Sequence, residues 1–393
     1  MDLIEHQHDP GTLRAVLTSE LPGPALRSAL DGDPGYSPDL HARLAGELGL
    51  AGLTIPREFG GLGWSQVEAC PVHAELGRAL YPGPFLPSSV AAGALLATCH
   101  LESCEQWLPL LAKGSVAGTV AAADGAGRWA QGTGSVRADY ATGGWRLSGR
   151  RWYVVAAHAA DVIVVPALTE SGLAMFLAET GSGGLELSRQ LDLDLTRRIS
   201  IVTFEAAPAV LLCKDATAAL DRAEREFLIA TAAEAAGGIG WCLDVSLARV
   251  KERDQLEGPA PGLGSFEAVA QFCIDMLADL EKVSAAAQYA AAATDVGAPD
   301  AAKAARLAAL QAGEAYRRVT EAVMSFTPEH DAQLYYRRAW SAERLSGGPQ
   351  SHRDALATRL QIASARLPKS RAPPRLPVVG SICSRSVAIR DEL

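Results

Sequence analysis

"LAGLTIPREFGGLGWSQVEA", residues 50–69, is a run that can be neither one helix nor one strand. Pro56 stops the pattern before it, because proline lacks a backbone donor and restricts the residue ahead of it. Gly60 and Gly61 permit positive φ. Ser65 and Glu68 then give the S-x-x-E spacing of a capping box for a new helix. The stretch predicts a fixed, glycine-paved loop between two helices. Outward from it, apolar residues fall at helical spacing: Leu40, Leu44 and Leu48 before, Val67, Cys70, Leu76 and Leu80 after. Residues 1–113 therefore read as an all-helical N-terminal domain.

The texture changes over residues 114–210. Short β-rich runs, "SVAGTVAAA", "GWRLSGRRWYVV", "DVIVVPAL" and "RRISIVTFEA", are punctuated by Gly, Asp and Ser, which predicts a small sheet or barrel. Helices return over 211–364. The alanine-rich "DATAALDRAEREFLIATAAEAAGGIGWCLDVSLARVKER" is followed by two more long helical patterns, with caps expected at Ser265 and Asp300. These have the pattern of antiparallel bundle helices. Residues 365–393 are proline-bearing and aperiodic, and read as an extended or disordered tail. The fold class is mainly α with a central β domain.

Composition narrows the function. Of 393 residues, 48% are hydrophobic and 21% charged, which fits a globular chain and not a disordered one. The net charge of −9 argues against nucleic acid or an anionic membrane as partner, leaving a small molecule or a protein. The 7 cysteines include no C-x-x-C pair, so neither a disulfide framework nor a zinc site is expected, and a reducing cytoplasm fits best. The 8 histidines show no H-x-x-x-H spacing, so no metal site is expected. The N-terminus lacks a leader pattern, and no apolar run approaches the roughly 18 residues of a membrane span. "GAG" at 125–127 and "GGIG" at 237–240 are not dinucleotide fingerprints; the first belongs to a β-domain loop, the second to a helix needing close packing.

Three separated segments carry a resemblance. "GLAGLTIPREFGGLGWS", "RVKERDQ…GSFEAVAQFCIDMLADLE" and "EHDAQLYYRRAW…GGPQSHR", in this order, resemble the acyl-CoA dehydrogenase family, especially its shorter bacterial members, over about residues 10–362. The resemblance implies a helical N-terminal domain, a middle β domain and a C-terminal four-helix bundle. It also implies a dimer or dimer of dimers, with FAD across the subunit boundary and an acyl thioester, carried by CoA or an acyl-carrier protein, between bundle and β domain. The family reaction removes two hydrogens across the Cα–Cβ bond: a carboxylate takes the α-proton and the flavin accepts hydride.

Against that pattern the cofactor contacts are degenerate. Family members follow the helix corresponding to Ala301–Met324 with a glycine-rich turn, H-G-G-x-G-F-T; here Met324 is followed directly by Ser325, Phe326 and Thr327. Where the family reads R-x-x-F-G, Arg253 is kept but Leu256 replaces the aromatic, and Glu257 adds negative charge. Where the family sets Trp and then Thr or Ser against the flavin, Trp152 is followed by Tyr153, Val154 and Val155. The candidate cofactor contacts are Trp152, Arg253, Gln255 and Phe266.

The base is equally open. The loop before the last helix, "RLSGGPQSHR", has no acid. The first bundle helix offers Glu224, Glu226 and Glu234, of which Glu226 and Glu234 are the candidate catalytic residues. Burial of Glu226 beside Phe227 would raise its pKa into a useful range. The plainer reading of "RAERE", and the favoured one, is a solvated helix start with i,i+4 pairing. Glu329, His330 and Asp331 match a family motif and are expected at a helix start and subunit contact. Three functions follow: a dehydrogenase working as a homo-oligomer or with a second FAD-competent homologue, a flavin-free acid–base enzyme on the same scaffold, and a non-catalytic partner subunit.

Overall fold

The computed structural model describes residues 10–125, 127–129, 135–190, 194–255, 266–326 and 330–359. The expected Ser265 cap and the tail 365–393 lie outside the described residues. The chain through Leu356 forms one compact unit.

The N-terminal helices are α1 (Pro10–Glu20), α2 (Gly23–Asp31), α3 (Pro38–Ala42), α4 (Gln66–Arg78), α5 (Phe85–Thr98) and α6 (Leu101–Ala112). The loop before α4 folds back on itself: the Leu62, Gly63 and Trp64 amides donate to the Gly52, Ile55 and Leu53 carbonyls at 2.8, 2.9 and 2.8 Å. Gly60 stands at φ 82°, as the sequence requires. Gly61 lies so close to the Ile55 carbonyl that a Cβ would collide with it. The Ser65–Glu68 capping box is formed. A second cap comes from far along the chain, where the Asp295 carboxylate accepts from the Gln66 and Val67 amides at 2.8 and 3.0 Å.

The strands are β1 (Gly118–Val120), β2 (Val136–Ala141), β3 (Gly144–Val155), β4 (Val162–Thr169), β5 (Gly172–Glu179), β6 (Leu185–Arg189) and β7 (Ile199–Cys213). β4, β2, β3, β7 and β5 pair in a ring that returns to β4, so the sheet closes into a small barrel, with β1 added on β4 and β6 on β7. Closure explains the continuous apolar run in β4. Ile163, Val165 and Ala167 fill the barrel with Phe176 and Phe204, while Val162 and Val164 join the main helical core. The β3–β7 ladder shifts register twice, between Leu147 and Gly149 and between Arg151 and Val154. Each shift coincides with a non-glycine residue at positive φ, Ala206 at 52° on β7 and Tyr153 at 54° on β3.

The chain then enters α7 (Thr217–Gln255), α8 (Phe266–Asp295), α9 (Ala301–Phe326) and α10 (His330–Leu345), which pack as the expected four-helix bundle, followed by α11 (Gly348–Arg359). α7 corrects one expectation. Thr217–Lys251 is long and apolar enough to cross a membrane by length and composition, with 78% of the apolar window buried inside the fold. Its stretch 226–239 is buried on every side because this is the central core helix. The "GGIG" segment packs closely, as its small residues imply. A Cβ on Gly237 would collide with the Ala74 carbonyl, and one on Gly77 with the Glu234 backbone, so α4 and α7 cross glycine against helix from both sides. α9 ends at Phe326 and α10 begins at His330.

Candidate functional site

Helices from both ends of the chain meet the barrel around a small cavity. Pro87 and Val90 of α5, Thr119 and Val120 of β1, and Val155 of β3 form one side. Trp129, Tyr153, Phe227 at the start of α7 and Leu345 at the end of α10 form the other. Its volume is about 20 Å³, room for little more than a water molecule. The rings of Trp129 and Phe227 lie 5.5 Å apart by centroid. Tyr153 is the extra residue of the β3 bulge, which turns its ring out of the strand pattern and toward the cavity. Arg344 donates to the Tyr153 hydroxyl at 3.5 Å, and its guanidinium sits 5.8 Å from the ring centroid. Trp152 is beside the cavity and not in its lining; its amide donates to the Ala123 carbonyl at 3.3 Å, and its indole packs toward Gly125.

These walls do not fit a flavin ring. The space is filled by aromatic side chains, the Thr119 hydroxyl is committed to the Val155 carbonyl at 2.8 Å, and Val154 faces the barrel core. The side chains of Arg253, Gln255 and Phe266, expected at the far end of the cofactor, lie outside the described residues, as does Glu329. Asp331 does stand in the first turn of α10, where it pairs with Arg27 of α2.

The candidate carboxylates separate. Glu226 is buried, 4% exposed, which overturns the expected solvated helix start; the i,i+4 pairing is present, Arg222 Nε donating to Glu226 Oε1 at 2.8 Å. The reason is Gly93 of α5, whose missing side chain leaves the space that the Glu226 carboxyl fills. Glu226 Oε2 has no hydrogen-bond partner among the described residues, and burial pushes the carboxyl pKa up, against the nearby Arg222. The next residue, Phe227, faces the cavity instead. Glu224 pairs with Arg306 of α9 at 2.7 Å.

Glu234 is held by cations. Its Oε2 accepts from Arg197 and, at 3.2 Å, from Arg338 of α10. Arg338 Nε also donates to Thr196 Oγ1 at 2.8 Å and lies 3.5 Å from Asp194, while its Nη2 donates to the Thr196 and Tyr81 carbonyls at 3.0 and 3.4 Å. Two acids and two arginines, all buried, thus join α7, α10, the turn leading into β7 and the loop after α4.

The turn between α10 and α11 carries Gly347 and Gly348 at φ 98° and 75°, and brings no carboxylate to the cavity. Just beyond, His352 is 1% exposed with neither ring nitrogen hydrogen-bonded among the described residues. Burial, reinforced by Arg306, lowers its pKa to about 4. Nothing in the sequence marked it, nor Tyr153, Trp129 or Phe227 as cavity walls. A second cleft, about 330 Å³, opens between α1, α4, α7 and α10 over the stacked rings of Trp241 and Tyr335, whose centroids are 3.8 Å apart. Its charged groups are paired, Arg14 with Glu75 at 2.6 Å and Asp331 with Arg27.

Comparisons with known proteins agree with this architecture. Residues 11–115 match the family profile described as "Acyl-CoA dehydrogenase, N-terminal domain", and residues 222–361 match "Acyl-CoA dehydrogenase, C-terminal domain". The chain is 30% identical over 345 residues to the acyl-CoA dehydrogenase IpdE2 of Mycolicibacterium smegmatis, covering 86% of this chain and 93% of that one. Among solved structures, a steroid acyl-CoA dehydrogenase, Tcur3481-Tcur3483, superposes with TM-score 0.80 at 25% identity over 92% of this chain and 98% of that one. The ChsE4-ChsE5 complex of Mycobacterium tuberculosis gives TM-score 0.80 at 23% identity over the same shares, 92% and 98%.

Proposed function

The chain belongs to the acyl-CoA dehydrogenase family, and on that premise we propose that it is one subunit of a hetero-oligomeric dehydrogenase that introduces an α,β double bond into an acyl thioester. A second, homologous chain supplies the carboxylate that takes the α-proton and the space for the flavin ring. One observation carries this reading: where such a site would need a carboxylate and an open slot, this cavity has Phe227, Tyr153 and about 20 Å³. Two neighbours support the assembly, since the Tcur3481-Tcur3483 and ChsE4-ChsE5 structures are each named as a pair of proteins. The steroid named for the first supports a bulky, ring-bearing acyl group on CoA. A cytoplasmic setting, where the six described cysteines stay as thiols, belongs to the same proposal.

The test is co-expression with each homologous dehydrogenase encoded beside it. The expected result is a colourless protein when made alone, and a yellow complex that desaturates an acyl-CoA only in the presence of an electron acceptor when made with its partner. A yellow homo-oligomer, or no colour with any partner, overturns the proposal. Glu226 favours a second reading, flavin-free acid–base chemistry on the same thioester, because its carboxyl is buried, shifted up and bare on one oxygen. That reading requires turnover without any acceptor, abolished in Glu226→Gln.

A further inference from the structure

We infer that Tyr153 is a plug: its ring fills a slot shaped for a flat, neutral aromatic guest, and Arg344 latches it there. The inference deepens the subunit reading, and it rests on that reading for the identity of the guest as a flavin-like ring.

The argument begins with the backbone. A bulky aromatic at φ 54° is an outlier that persists only where its surroundings hold it. The bulge between Arg151 and Val154 supplies the extra residue that allows it: Val154 keeps its place in the barrel core, and Tyr153 is released to turn outward. On the outer side the ring meets the cavity, and Arg344 closes over it from the last turn of α10 through both the hydroxyl and the ring face. Leu345, the residue after the latch, is itself a cavity wall, and the positive-φ glycines 347 and 348 follow at once. Latch and wall therefore sit on one short, glycine-ended segment.

The chemistry of the slot comes from what would remain without the Tyr153 ring. Trp129 and Phe227, in contact at 5.5 Å between centroids, would form one aromatic wall, and Val90 and Leu345 would line it with aliphatic carbon. No charged side chain is among its walls, so the guest is uncharged, and an aromatic wall favours a flat one.

The probe is lumiflavin, the bare ring system, whose fluorescence is quenched on stacking; it needs none of the phosphate or adenine contacts. Tyr153→Ala opens the slot directly. Arg344→Ala removes an exposed side chain, leaves every cavity wall in place, and frees the tyrosine to swing out. Leu345→Ala makes a void of its own but leaves plug and latch intact. The expected result is weak binding by the native chain and by Leu345→Ala, and binding at least tenfold tighter by both Tyr153→Ala and Arg344→Ala. Tyr153→Gly should bind as Tyr153→Ala does and melt higher than it, because glycine accepts the positive φ. If Arg344→Ala binds as weakly as the native chain, or Tyr153→Ala no better than Leu345→Ala, the plug is overturned. Should Tyr153→Ala fail to fold, the Arg344→Ala comparison decides alone. A colourless co-expressed complex would sink the subunit reading and leave these affinities unchanged; native-like affinities in both variants would sink the plug and leave the subunit reading standing.

Discussion

Two glutamates on α7 are both buried and of the same residue type, and they do opposite things. Glu234 faces two arginines from other elements and closes a charge-balanced knot with Asp194. Glu226 pairs with one half-buried arginine of its own helix, with Arg225 also acting on it, and sits against a glycine with no hydrogen-bond partner on its second oxygen among the described residues. Burial alone does not mark a catalytic carboxylate. What decides is the number of fixed charges that reach it, because charges paired from several elements make a joint, and a buried carboxyl left bare on one oxygen makes a proton site.

The sharpest way to break the contrast is Arg338→Ala. It leaves two buried acids sharing one arginine and should cost about 3–5 kcal/mol in denaturant unfolding; a loss below about 1 kcal/mol would mean the knot is not a joint. Next comes pH at the other end of α7, where His352 lies behind the Arg306–Glu224 pair. Its folded pKa is depressed from 6.5 to about 4, so the stability of the neutral form is present above the unfolded value and lost as pH falls through that window. About 3 kcal/mol of acid sensitivity between those values should vanish in His352→Gln. Gly237→Ala, at the tight crossing beyond Glu234, should cost about 1–3 kcal/mol by forcing α4 and α7 apart. Smallest is Glu226→Gln, within about 1 kcal/mol of the native protein at neutral pH. Its raised pKa means that stability is greatest below the usual carboxylate range and declines as pH rises; the variant should lose that decline, and a retained slope would mean the carboxyl is not strained by burial.

What the sequence revealed follows from range. The loop ahead of α4 was legible because Pro56, Gly60 and the Ser65–Glu68 pair act within a few residues of themselves. The barrel was legible in its short apolar runs, and the close packing of "GGIG" in its missing side chains. Glu226 was misjudged because the residue that buries it, Gly93, belongs to another helix. The knot joins residues 194, 197, 234 and 338, and no local pattern links them. Phe227, and not Glu226, reaches the cavity because one residue along a helix turns a side chain by about 100°. The two are adjacent in sequence and point to different neighbours. Tyr153 was hidden by its bulge: strict alternation along β3 would have assigned its ring to the wrong face.

The cap on α4 has a consequence for how the protein is made. The first amides of that helix find their acceptor in Asp295, at the end of α8. A nascent chain emerging from the ribosome therefore presents this helix start with its local Ser65–Glu68 box but with the Gln66 and Val67 amides still waiting for their acceptor until most of the polypeptide has been synthesised. The N-terminal third completes this helix start only with the bundle, and an expressed fragment ending before it would leave those two amides to water.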